Sequence, residues 1–306
     1  MKKKIIIILA LALVLFLLIF FINKKVKKSR NSRKYKISKI FQTGEQKEVL
    51  SSLYLSQLLD LSVDKPTNYF LFDTKLAKKK LLKSPLIKKA NVKKIKPNVV
   101  YVDYTIRKPL FVLFDYENVA IDEDGYLFPI SPFLSPKDLV KVILLNDKNS
   151  LKNSLDFFND NRSIDLTKSV SKEFNLAKNI YSLFCSCSDL NLKDGFKLKK
   201  IDVSKAFLEN LAKQEIVISL DEQIFIKQDL DHQIRAVFPK ILRLSVDDLA
   251  KQLGNYLELR KKIRQDYEHQ LKNSSTIEAV GSDNKVVFSQ KVIDFRIDKI
   301  AFIDDV

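Results

Sequence analysis

Few residues in this chain could do chemistry, and their spacing does not favour it. His232 and His269 are the only histidines, and they stand far apart, without the short interval that sets two imidazoles on one metal. Asp122-Glu123-Asp124 could attract calcium. The residues that follow lack the remaining ligands of a calcium loop and its terminal Glu, so Asp122, Asp124 and Gly125 read as a hairpin turn. Cys185 and Cys187, two apart on a helix, point to different faces and read as unbridged thiols. No Gly-x-Ser-x-Gly or His-Glu-x-x-His motif occurs, and five glycines in 306 residues exclude a glycine-rich phosphate loop. A carboxylate pair among the 37 acidic residues is the one enzymatic option left, which keeps a periplasmic cell-wall hydrolase as a minor alternative. The expectation is a protein with no catalytic residues, metal, cofactor or small-molecule substrate.

The strongest signal lies at the amino terminus. Ile5 to Ile22 is an unbroken apolar run; eighteen helical residues span about 27 Å, close to a bilayer's hydrocarbon thickness. It lacks an Ala-x-Ala cleavage pattern and a following cysteine, so it reads as an uncleaved transmembrane anchor from Ile5 to Ile22. Three lysines precede it and eight basic residues follow between Lys24 and Lys36, a count that by itself favours a cytoplasmic body. The net charge is +17, but residues 1–40 hold twelve basic and no acidic side chains, leaving 42 basic against 37 acidic in the rest. The excess positive charge therefore suits an anionic membrane surface, and nucleic acid is not an expected partner.

Beyond the basic linker, Tyr35 to Phe41 reads as a strand and Glu45 to Leu59 as a helix. Asp73 can cap a second helix, Thr74 to Lys83, with Leu76, Leu81 and Leu82 inward, ended by Ser84-Pro85. Lys88 to Lys96, a Pro97-Asn98 turn and Val99 to Arg107 follow; Val100, Val102, Tyr104 and Ile106 alternate onto one face. The order is β-α-α-β-β, two helices on one face of a three-stranded sheet. Further on, Val119–Ile121 and Tyr126–Phe128 flank the Asp124-Gly125 turn, and Leu139 to Leu145 reads as a buried strand. Asn146 to Asn161 reads as a loop with a helical turn at Leu155 to Phe158, and Ser169 to Phe184 as an amphipathic helix. Lys197 to Val203 reads as a strand. Glu215–Ser219 and Gln223–Lys227 read as a hairpin across Leu220-Asp221-Glu222. Ser245 and Asp248 resemble a capping box opening a helix to about Leu271, laid across the sheet despite Arg260 in its stripe.

The chain ends in what reads as one strand, Val292 to Ile303. Ile293, Phe295 and Ile297 alternate with Asp294, Arg296 and Asp298, and the second face continues into Ile300 and Phe302, turning apolar. An apolar edge of this kind can accept a strand from another chain.

The stretch LLKSPLIKKANVKKIKPNVVYVDYTIRKP, followed by AIDEDGYLFP, resembles the FtsQ/DivIB cell-division family. The motif positions are Pro85, Ala90, Val92, Pro97, Arg107 and Pro109, then Asp122, Gly125 and Phe128; Ile106 stands where a Glu often precedes the Arg. The terminal VIDFRIDKIAFI is similar to the family's Asp-x-Arg strand at Asp294 and Arg296, with Ile297 where an aromatic often follows. The resemblance implies an α+β chain. A single N-terminal transmembrane helix would lead into a POTRA-like β-α-α-β-β domain and then a mixed β-rich domain with packing helices. In segments, 1–4 would be a cytoplasmic tail, 5–22 the membrane helix, 23–34 a basic juxtamembrane linker, 35–108 the POTRA-like domain and 109–306 the FtsQ-type β domain. It further implies a bitopic divisome scaffold in the inner membrane, its N-terminus cytoplasmic and its body periplasmic, against the charge count. FtsB/FtsL-like bitopic proteins would bind the terminal edge through Asp294, Phe295, Arg296, Ile297, Asp298, Ile300 and Phe302, and other divisome proteins the POTRA-like domain. A POTRA-bearing component of an envelope export or assembly apparatus is the alternative.

Overall fold

The computed structural model describes residues 16, 20, 21, 24, 25, 32–44, 50–136, 138–145, 164–165, 171–188, 195–227, 233–273, 285–297 and 300–305. Two compact units divide the chain, residues 1–107 and 108–306. Of the opening apolar run, Phe16, Phe20 and Phe21 are described, and all three are helical. No described helix is long and apolar enough to cross a membrane. The expected loop from Asn146 to Asn161 lies outside the described residues.

The first unit runs β1 (Lys39–Gly44), α1 (Ser52–Leu58), α2 (Thr74–Lys83), β2 (Ile87–Ile95) and β3 (Val99–Ile106). The sheet order is β1-β3-β2, with β1 parallel to the central β3 and β2 antiparallel to it. β3 is central because Val100, Val102, Tyr104 and Ile106 all bury on the face the helices cover. The Tyr104 hydroxyl accepts from the Leu50 amide at 2.9 Å and donates to Gln42 at 3.2 Å, tying α1's approach to β1. Asp73 caps α2 by accepting from the amides of Lys75 and Leu76. Three expectations need correction. The first helix opens only at Ser52, not at Glu45, because Ser51 is extended and caps it by accepting from the Tyr54 amide at 3.2 Å. The first strand starts at Lys39, because Arg33–Tyr35 form a 3-10 turn and Lys36 bridges to Asn68. On α2, Ala77 and Leu81 point inward while Leu76 and Leu82 are exposed, because a ten-residue helix can turn only one narrow stripe to the sheet.

The second unit holds β4 (Phe111–Leu113), β5 (Val119–Ile121), β6 (Tyr126–Pro129), β7 (Val140–Ile143), β8 (Ile164–Asp165), α3 (Ser171–Ser188), β9 (Phe196–Asp202), β10 (Ile216–Lys227), β11 (Gln233–Leu244), α4 (Leu249–Asn273), β12 (Lys285–Val287), β13 (Lys291–Asp294) and β14 (Phe302–Asp305). The described strands form one mixed sheet, ordered β14-β13-β11-β10-β9-β7-β4-β5-β6-β8, with β12 also beside β11. Both helices contribute to one core. Phe174, Ala177, Ile180 and Phe184 of α3 and Leu253, Tyr256 and Ile263 of α4 pack with Phe111, Ile218, Leu242 and Ile293 of the strands. At the turn between β5 and β6, Gly125 sits at φ 83°, and the buried Asp122 carboxylate accepts from the amides of Asp124 and Tyr126.

The expected hairpin at Leu220–Glu222 is absent; β10 runs straight through it, paired with β11 from Ile216↔Leu244 to Lys227↔Gln233. Two adjacent acids read as a turn, yet each meets a cation on the sheet. Asp221 pairs with Lys199 at 2.6 Å. Glu222, on the inward face, is 1% exposed and holds Lys240 of β11 and, at 2.6 Å, Arg260 of α4. Arg260 therefore docks α4 on the sheet instead of breaking its apolar stripe. At the start of α4, Gln252 performs the closure expected of Asp248: its side chain accepts from the Ser245 amide at 2.9 Å and donates to the Asp247 carbonyl at 2.6 Å.

Candidate partner-binding edge

The carboxyl-terminal segment differs most from its sequence pattern. The strand stops at Asp294, and the chain turns back so that β14 lies antiparallel to β13, with Asp294 opposite Phe302 and Lys291 opposite Asp305. The cause is local. The Asp294 carboxylate accepts from the Arg296 backbone amide at 3.0 Å, an Asx-type turn that ends the strand. The Arg296 guanidinium closes on the same carboxylate, with Nη2 2.7 Å from Oδ2 and Nε 3.0 Å from Oδ1.

This clamp belongs to a wider charge cluster. Glu215 of the β10 approach accepts from Lys205 at 2.8 Å and from Arg243 Nη2 of β11 at 2.6 Å. Arg296 lies 3.6 Å from Glu215, and Arg243 lies 3.6 Å from Asp294. Burial raises the Glu215 carboxyl, but its hydrogen bonds to Lys205 and Arg243 outweigh that and hold it below the usual carboxylate range. Asp294 is likewise lowered, burial being outweighed by Arg296, and the Arg296 guanidinium is raised by Asp294. Two ionised carboxylates among three cations fasten β10, β11 and β13 to the terminal turn. Neither carboxyl is held protonated, as the acid member of a glycosidase pair must be.

The expected partner-binding residues separate into different roles. Phe295, 6% exposed, is a core residue packed edge-to-face on Tyr256 at 6.4 Å. It is not available to a partner, which corrects its expected place on the binding edge. The alternation of a continuous strand does not survive the turn, so Ile297 does not share the buried face of Ile293. Asp294 and Arg296 spend their side chains on each other and on the cluster. Asp298 lies outside the described residues. Ile297, Ile300, Phe302 and Ile303 are all about half exposed. Phe302 and Ile303 occupy adjacent positions of β14 and so point to opposite faces, and both faces of this edge strand carry apolar surface. Among the described residues, no strand pairs with its outer side. Beside it, an open cleft of about 590 Å³ lies between the start of α4 (Asp248, Lys251, Gln252, Asn255) and Ile297 and Ile300.

Other positions singled out in the sequence have structural surroundings. Ala90 and Val92 are buried on β2, and Pro97 opens the turn between β2 and β3 through a cis peptide. Arg107 is buried; its Nε donates to the Pro85 carbonyl at 3.1 Å and its amide to Leu86 at 2.8 Å, joining the exit of β3 to the end of α2. Pro109 follows, half-buried, at the start of the second unit. Cys185 is an exposed thiol on α3 near the Tyr181 hydroxyl. The histidine side chains, that of Cys187, and Ile5 and Ile22 are outside what is described. Among the described residues no group of three or more His, Cys, Asp or Glu could hold a metal ion. Glu215, Lys205 and Arg243 carry no local sequence signal of the cluster they form. Glu222 was detectable: reading Ile216, Ile218, Leu220 and Ile224 through as one alternating strand places it on the inward face.

The architecture defines an α+β protein with a POTRA unit ahead of a β-rich unit. Residues 48–103, which span α1, α2, β2 and the first part of β3, match the family model of the POTRA domain, FtsQ-type. The match supports the FtsQ/DivIB resemblance read from Pro85, Ala90, Val92 and Pro97. No curated protein matches the chain.

Proposed function

We propose that this chain is a non-catalytic, single-pass scaffold of the bacterial divisome. Residues 5–22 would span the inner membrane with the N-terminus cytoplasmic, and both units would lie on its outer side. The POTRA unit would recruit other division proteins. β14 would accept a strand from an FtsB/FtsL-like bitopic partner. The observation that carries this reading is the outermost position of β14, with apolar Phe302 and Ile303 exposed on alternate faces, in a chain bearing an FtsQ-type POTRA domain. Strand addition explains both features: backbone groups supply affinity, and side chains on the two faces supply selectivity. The binding residues are then Ile297, Ile300, Phe302 and Ile303, with Asp294 and Arg296 holding the turn that presents them.

The test is capture of partners by the full-length protein from solubilised membranes. Phe302→Glu is expected to abolish capture of FtsB/FtsL-like proteins while leaving the fold intact, because this side chain is 55% exposed. Undiminished capture contradicts the proposal. A component of an envelope export or assembly apparatus, the alternative that a POTRA domain also permits, would instead recover export proteins and no division proteins.

A further inference from the structure

The first unit carries an apolar projection that its own core does not use. Leu71 is 80% exposed in the short turn before α2, and Phe70 beside it is 37% exposed, its ring set edge-on to Tyr69 with centroids 5.3 Å apart. Hydrogen bonds hold this turn in place. The Asn68 carbonyl accepts from the amides of Leu71 and Phe72, and Asn68 Oδ1 accepts from the Phe70 amide at 2.8 Å. Lys94 reaches from β2 to donate to the carbonyls of Tyr69 and Phe72 at 3.1 and 3.0 Å. Tyr69 donates its amide to the Tyr35 carbonyl, and the Tyr35 ring leans on Phe70 with centroids 5.1 Å apart. Lys36 bridges to Asn68, so the turn is fastened to the segment that opens the unit.

That segment also states what lies nearby. Ser32 follows Ile22, the end of the apolar run, by ten positions, so whatever the linker's conformation the separation cannot exceed about 35 Å. Arg33, Lys34 and Lys36 are exposed on the strip that holds the turn. Asp73, the nearest acid after the turn, faces the amides of Lys75 and Leu76 at the start of α2, while Asp64 precedes the turn in an exposed loop. A projecting Phe-Leu pair flanked by cations suits a surface that is apolar below and anionic above.

We propose that the 68–71 turn is a lipid-contacting wedge, with Phe70 and Leu71 entering the headgroup boundary of an anionic bilayer while Arg33, Lys34 and Lys36 engage its phosphates. The wedge rests on the anchored reading of residues 5–22. It would fix the POTRA unit's orientation on the membrane, a constraint that a single anchor followed by a linker does not supply.

The chain contains no tryptophan, so Leu71→Trp introduces a single reporter at a site where the added ring meets no core. The full-length variant is reconstituted into phosphatidylglycerol-containing vesicles bearing lipids brominated near the headgroup. Val287→Trp, exposed in the second unit, serves as the reference. The expected result is a blue-shifted emission at position 71 that is lost progressively with brominated lipid, and an unquenched reference. A chain retained on the vesicles through an alkaline carbonate wash, yet unquenched at 71 or quenched equally at 287, overturns the wedge and leaves the anchor standing. A chain removed by the wash overturns the anchor, and the wedge with it.

Discussion

Arg296 folds back on Asp294, two residues upstream, so that one carboxylate receives both the backbone amide and the guanidinium of the same residue. This contact turns a sequence that alternates like one long strand into two strands at the sheet edge, and it fixes the start of the return to β14. Arg296→Ala removes the clamp and its reach to Glu215. The cost in stability is about 1–2 kcal/mol, since the pair is bidentate but partly exposed. Its effect on partner capture should exceed that, because β14 loses its fixed position. Calorimetry and capture by the same full-length variant separate the two; a stability loss with unchanged capture contradicts the positioning role.

Glu222, Lys240 and Arg260 form the buried charge group that docks α4 on the sheet. Burial pushes the Lys240 ammonium downward, and Glu222 opposes that shift. Glu222→Gln removes the carboxylate that pairs with two buried cations and is expected to destabilise the second unit by about 3–5 kcal/mol. Replacing all three residues together with Leu, Met and Leu should recover most of that loss. Urea unfolding of the single and triple variants checks both; a single variant within about 1 kcal/mol of the parent contradicts the assignment.

Glu215 and Asp294 have folded carboxyls lowered by their cations. A lowered carboxyl contributes stability that is fully present above its unfolded value, about 4, and disappears as pH falls through the lower folded value. The Glu215→Gln, Asp294→Asn double variant should therefore be less stable than the parent at pH 7, with the difference shrinking as pH falls through and below about 4. Calorimetry across that range tests this; a constant difference would show that the cluster's charges are not what stabilises the terminal turn.

Legibility followed the range of the interactions. The Asp73 cap, the alternation of Val100 to Ile106 and the turn at Gly125 depend on neighbours within a few residues, and each was readable. Leu76 and Leu82 misled because a leucine-rich helix packed on a small sheet buries only part of its apolar residues. Asp221 and Glu222 read as a turn because their partners Lys199, Lys240 and Arg260 lie far away in the chain. Phe295 read as edge because nothing local reveals Tyr256 beneath it. The break after Asp294 depends on a side-chain bond that strand alternation does not encode.

Strand addition at β14 is the proposed mode of partner binding. It is tested most directly by placing a photoreactive residue at Phe302 and, separately, at Ile303 in the full-length protein within its native membrane. The account predicts crosslinks to the same FtsB/FtsL-like bitopic protein from both positions, because an added strand passes both faces of β14. Crosslinking from one position only, or none from either while the protein remains folded, would contradict it.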